Sequence, residues 1–227
     1  MAFSNSVHTV KRFDMEIQRL IDLVMAMGRE VERQVNHAVT AFQQGDVDGA
    51  QAVIAGDAAV NRWDMEIDQG CVRLLSRRQP VSTDLRLVMA LNKAVNDLER
   101  IGDEAKAIAE KTLTIHARDG LPSRALPPML NRLAAIASQR IQGALDSLGR
   151  LDVDQAWALT RTDEAEDVFQ DILRELSTYA TDGELTVATV IDMALAFKAL
   201  KRVADRAQNL AEYVIFVVEG RDVRHAT

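Results

Sequence analysis

Apolar side chains return every three or four residues along most of this chain, a spacing that predicts six long helices. The first runs through Phe13, Ile17, Leu20, Val24, Met27, Val31, Val35, Val39 and Phe42, and Gly45–Asp46 breaks it. Asp48 is placed to cap the second, whose stripe is Val53, Val60, Ile67, Leu74 and Leu75 and which stops near Pro80. Ser82 or Thr83 caps a third, with Leu91, Val95, Leu98, Ala105, Ile108 and Ile115 on its apolar side. The stretch 116–128 is rich in Gly and Pro and reads as a linker. Helix four carries Leu130, Leu133, Ala137, Ile141, Leu145 and Leu148. Helix five starts after Asp154, and helix six spans about Thr186 to Glu219 and ends at Gly220. Several stripes approach heptad spacing, so the helices are expected to pack nearly parallel or antiparallel, as in bundles.

The two halves of the pattern repeat each other. "DVDGAQAV" at 46–53 returns as "DVDQAWAL" at 152–159, an offset of 106. At that offset Asp57 aligns with Asp163, Asn61 with Asp167, and Met27, Val31, Val35 and Val39 with Leu133, Ala137, Ile141 and Leu145. In the third helix of each half the offset is 102, and "LERIGDEAKAIAE" (98–110) returns as "LKRVADRAQNLAE" (200–212). A period this long is a domain duplication, since solenoid repeats are much shorter. The expected fold is therefore all-α, two tandem homologous three-helix bundles over residues 7–118 and 124–220, followed by a short tail, 221–227.

Composition narrows the functional classes. Of the 227 residues, 48% are hydrophobic and only 4% aromatic, a mixture that suits close-packed helices better than sheets. The net charge is −7, which argues against non-specific nucleic-acid binding and against direct docking on anionic lipid. A single cysteine, Cys71, cannot form an internal disulfide and points to a reducing compartment. No run approaches ~20 apolar residues, and the opening MAFSNSVHTVKRF has no hydrophobic signal region. These features predict a cytoplasmic chain that meets a membrane only through partners.

Chemistry concentrates on the third helix. Asn92, Asn96, Glu99, Asp103 and Glu110 form a stripe about 140° from the apolar side, and Glu99 and Asp103 are neighbours at i and i+4. Like charges at that spacing repel unless a cation sits between them. Oxygen ligands of this kind suit Mg²⁺, Ca²⁺ or Mn²⁺, and several pairs can bridge iron. The alternative is a solvated face neutralised by Arg100, Arg86 or Lys106. In the second half Lys201 stands where an acid is expected, one turn before Asp205, so a cluster there would rest on Asp205, Asp163, Asp167 and Glu212. The histidines His8, His37, His116 and His225 are scattered, and HExxH, glycine-rich phosphate-loop and GxSxG patterns are absent. Cys71 reads as a buried thiol, Trp63 and Trp157 as fillers at helix junctions, and Met25, Met27, Met65, Met89 and Met193 as core. A metal-dependent helical hydrolase built on Glu99 and Asp103 is the competing functional reading; the outer side of a bundle offers it no pocket.

The block "RRQPVSTDLRLVMALNKAVNDLERIGDEA" (77–105) resembles the central signature of PhoU proteins, and "DRAQNLAEYVIFVVEGRDVRH" (205–225) resembles that family's C-terminal end. "MAMGREVERQVNHAV" (25–39) and Gly56, Asp57 and Asn61 are also similar, so the resemblance spans nearly the whole chain. It implies paired three-helix bundles, often dimeric, with metal clusters in several members on a Glu/Asp-x-x-x-Asp motif in each third helix. That motif is intact here at Glu99 and Asp103 and degenerate at Lys201 and Asp205. The resemblance further implies a negative regulator of the phosphate-starvation response. Such a protein links the ATPase of the high-affinity phosphate ABC transporter to a phosphate-sensing histidine kinase and carries no catalytic residues. On residue chemistry the corner Arg78, Asp84 and Arg86, bent by Pro80, is the candidate partner contact. The alternative is that Asp84 supports the start of helix three while Arg86 lies in solvent.

Overall fold

The computed structural model describes residues 11–118, 126–161 and 163–223. Positions 7–10, most of the linker (119–125) and the end of the tail (224–227), with His8 and His225, lie outside the described residues.

Among the described residues the chain forms helices α1 (Lys11–Gln44), α2 (Val47–Arg78), α3 (Ser82–Arg118), α4 (Met129–Arg150), α5 (Val153–Thr160), α6 (Glu164–Thr181) and α7 (Val187–Glu219). The six-helix, two-bundle plan holds, with the fifth helix divided into α5, which ends at Thr160, and α6, which begins at Glu164. Restarting at Glu164 puts Glu164, Glu166 and Asp167 in the first turn of α6, against the positive end of the helix dipole. The equivalent segment of the first half, inside the unbroken α2, has Ala58, Val60 and Asn61 there and gains nothing from a break.

Chain punctuation follows the duplication. Gly45 ends α1 at φ 64, and Asp46 caps α2 by accepting from the Gly49 N–H at 3.0 Å. One repeat later Leu151 ends α4 at φ 50, and Asp152 caps α5 by accepting from Gln155 N–H at 3.1 Å. The caps are thus Asp46 and Asp152, each two residues before the expected Asp48 and Asp154, because their extended backbones turn the carboxylates onto the free N–H groups. Leu151 holds a left-handed conformation that glycine adopts freely and that costs a side-chain-bearing residue about 1 kcal/mol. Gln79 takes the same conformation at the end of α2, directly before Pro80, which cannot continue a helix. Thr186 and Gly220 bound α7 where the periodicity places its ends.

The two bundles share one continuous core. Val24, Met27, Val31, Val60, Ile67, Leu91, Leu98 and Ile101 fill the first; Leu133, Ile172, Met193, Val203 and Leu210 fill the second. Phe42 of α1 meets Phe197 of α7 edge to face, with ring centroids 5.4 Å apart. The most extensive helix contact in the molecule is between α3 and α7, the third helix of each half. Cys71 is buried as expected, and burial pushes its thiol up to about 11. Of the methionines expected in the core, Met65 and Met89 lie on the outside, 55% and 40% exposed.

Candidate functional site

The first acidic face lies where α2 and α3 pack antiparallel. Asp57, Asn61, Asp64 and Asp68 follow one another at helical spacing on α2, opposite Asn92, Glu99, Asp103 and Lys106 on α3. The register is set by Asn92 donating to Asp68 at 2.8 Å and by Lys106 donating to Asp57 at 3.1 Å. Glu99 is half-buried and Asp103 exposed. Burial, then repulsion from Asp103, Asp64 and Asp57, raises the Glu99 pKa against the pull of Arg100. Asp64 is raised in the same way by burial and by Asp68. Asp57 is buried; its Oδ2 takes Lys106 and, at 3.4 Å, Asn61, while its Oδ1 is buried without a hydrogen-bond partner. The structure thus brings Asp57, Glu99 and Asp103 to one face. It adds Asp64 and Asp68, whose spacing from Asp57 and Asn61 is visible in the sequence. Among the described residues no three His, Cys, Asp or Glu side chains converge closely enough to hold a metal ion in this conformation.

The corresponding face of the second bundle has a different charge pattern. Lys201 donates to Glu166 at 2.8 Å and to Asp205 at 2.9 Å. Burial opposes the Lys201 charge, but these two carboxylates outweigh it and raise its pKa; Glu166 is lowered in turn by Lys201 and Gln170. Asp163 and Asp205 line an open cleft of about 680 Å³ with Arg100, Lys201, Arg206 and Glu212. Asp167 is exposed on α6.

Between the faces runs a seam of ion pairs from α3 to α7. Glu104 accepts two hydrogen bonds from Arg202, at 2.7 and 2.6 Å. Asp97 accepts from the Tyr213 hydroxyl at 2.7 Å, and from Asn209 and Arg206 at 3.4 Å. Asp192 binds both Lys111 and Arg118 at 3.0 Å. Residue numbers rise along α3 as they fall along α7, so the two helices are antiparallel. These partners lie 74 to 116 positions apart in the chain, a separation that hides the pairing from any local pattern.

The arginine corner is engaged internally, so Arg86 does not simply lie in solvent. Arg78 makes a two-pronged bond to Glu16 of α1, both distances 2.9 Å. That bond, ahead of the opposing effect of burial, holds the Glu16 carboxyl below its usual range. Arg86 donates to the Val217 carbonyl at 3.1 Å and to the Thr83 hydroxyl at 3.1 Å, and its guanidinium lies against Gly220. It therefore caps the C-terminal end of α7, where a cation is favoured. Asp84 is half-buried in the first turn of α3.

The pattern that defines the PhoU domain matches this chain twice, over residues 24–112 and 130–214. The chain belongs to the PhoU family. It is 36% identical over 219 residues to the phosphate-specific transport system accessory protein PhoU of Escherichia coli strain K12, covering 96% of this chain and 90% of that one. The homologous accessory protein of Pseudomonas aeruginosa is 37% identical, with the same coverage. The crystal structure of PhoU from Pseudomonas aeruginosa superposes with a TM-score of 0.85 at 35% identity, over 92% of this chain and all of that one. The phosphate transport system regulatory protein PhoU of Streptococcus pneumoniae superposes at 0.84 with 23% identity, over 93% of this chain and 99% of that one, a likeness of fold alone. Both PhoU domains contribute their third helix to the ion-paired seam. Among the described residues no helix is long and apolar enough to cross a membrane.

Proposed function

We propose that this PhoU-family chain is a negative regulator of phosphate uptake and phosphate-starvation signalling that acts by binding, as a cytoplasmic adaptor between the transporter ATPase and the phosphate-sensing histidine kinase. The observation that carries the reading is a repeated one. Leu85 and Met89 on the opening turns of α3, and Val187 and Ile191 on those of α7, are 40% to 64% exposed. They are equivalent under the offset of 102, and antiparallel packing sends them to opposite ends of the molecule. Two apolar patches on an acidic protein suit two protein partners. The corner Arg78, Asp84 and Arg86 is the proposed contact beside the first patch, its internal bonds to α1 and to the end of α7 holding that end of the molecule in place. Relatives named as accessory proteins of phosphate transport support the same assignment.

Divalent or iron-type ions would be held by Glu99, Asp103 and Asp57. The oxygen-only donors, the raised pKa of Glu99 and the unpartnered Asp57 Oδ1 support that choice. A bound cation would relieve the like-charge repulsion of this face. The hydrolase reading has no such support, since the stripe lies on the outer side of the bundle. A homodimer follows the habit of the family.

The test is capture of the purified transporter ATPase and of the cytoplasmic part of the kinase, with and without chelator, by the wild type and by Met89→Glu and Ile191→Glu. Binding by the wild type, weakened at least tenfold in one variant with unchanged helical content, is expected. Wild-type protein that captures neither partner refutes the adaptor.

A further inference from the structure

We propose that Lys201 is a tethered cation that fills the carboxylate cluster of the second bundle, so that this bundle has no place for a metal ion. Under the offset of 102, Lys201 stands at the position of Glu99 and Asp205 at that of Asp103. Under the offset of 106, Glu166 stands at the position of buried Val60. The two changes meet in space: the Lys201 ammonium joins Glu166 of α6 to Asp205 of α7, at 2.8 and 2.9 Å. Its side chain is only 20% exposed, so the bridge is partly enclosed rather than loose on the surface.

The first bundle has a lysine too, but placed differently. Lys106 reaches Asp57 and leaves Glu99 and Asp103 without a hydrogen-bonded cation. Its counterpart under the offset of 102 is Gln208, which bonds Glu212 at 3.4 Å and so leaves the neutralising role in the second bundle to Lys201. The donor set expected for a second cluster, Asp205, Asp163, Asp167 and Glu212, therefore does not fit a metal ion. Asp205, at the position of Asp103, is already bonded to the ammonium that stands in place of Glu99, and a divalent ion at this motif would face the lysine charge. Duplication followed by this exchange makes the protein asymmetric: one acidic face stays open to cations, while the other carries its own.

Site-resolved hydrogen exchange on the full chain, in chelator and in 1 mM Mn²⁺, tests this. In the wild type, exchange in α6 and in the middle of α7 is expected to be the same in both buffers. Lys201→Glu restores the acid of the repeat. In chelator its α6 amides should exchange about tenfold faster, and Mn²⁺ should reverse the change. Lys201→Met should show the faster exchange without reversal, because it removes the cation and adds no ligand. Mn²⁺ that slows α6 and α7 exchange in the wild type overturns the proposal, and that result requires no variant to fold. Equally, wild-type exchange rates in Lys201→Met in chelator would show that the ammonium bridge holds nothing together.

Discussion

The Glu104–Arg202 pair offers a prediction in which the two ends of one interaction differ in value. Glu104 has 10% of its side chain exposed and Arg202 has 42%. Glu104→Ala leaves a guanidinium that water can reach, so the loss should stay near that of a surface pair, about 1 kcal/mol. Arg202→Ala strands a covered carboxylate whose next cation, Arg206, is 4.0 Å away and already shared with Asp97. Leaving a buried charged group without its partner should cost about 3 kcal/mol. With a urea slope of about 3 kcal/mol/M, the two midpoints should differ by roughly 0.7 M, read from far-ultraviolet circular dichroism. Adding Glu104→Ala to Arg202→Ala should recover part of the loss, because it removes the stranded charge. If Glu104→Ala is the more damaging change, or if the double variant is weaker than Arg202→Ala alone, burial does not govern the seam.

Two further outcomes follow from the same geometry. Asp192→Asn should lose about 1.5 kcal/mol near neutral pH by weakening its bonds to Lys111 and Arg118. Burial raises the Asp192 pKa, but the bonds from Lys111 and Arg118 outweigh it and leave the pKa below the ordinary aspartate value of 3.8. Its stabilisation is therefore present above that pH and lost below it. The gap between wild type and variant should stay constant down to about pH 4.5 and narrow only under more acidic conditions. Glu99→Gln should raise the thermal midpoint in chelator by about 1–3 °C, since it removes repulsion worth a few tenths of a kcal/mol from each of several acids. A lowered midpoint would mean that the Glu99 charge is already compensated.

Local patterns in the sequence carry the helices and the duplication, because an amphipathic stripe is a property of neighbours. The stripes of α1 and α7, the stops at Gly45 and Gly220, and the recurrence of Asp46 at Asp152 all belong to that class. The division of the fifth helix into α5 and α6 is harder to see, since it depends on three acids favouring a new helix start over a continuous helix. The first acidic face was half legible: Glu99 and Asp103 stand out by spacing, whereas Asp64 matters because α2 lies beside α3. Arg78 and Arg86 look exposed in a polar corner until the fold brings Glu16 and the end of α7 to them. Met65 and Met89 occupy positions that read as core by residue type and that the packing leaves outside.

The antiparallel seam has a mechanical consequence. α3 has 37 residues and α7 has 33, so each is a rod of about 50–55 Å. Each end of the molecule carries the start of one rod and the finish of the other. A partner that tilts one rod by about 5° displaces its far tip by roughly 5 Å, a whole helical turn. Arg86, which grips the finish of α7 from the start of α3, acts as the latch at one end of this lever. Force applied at either tip is thus shared by both halves.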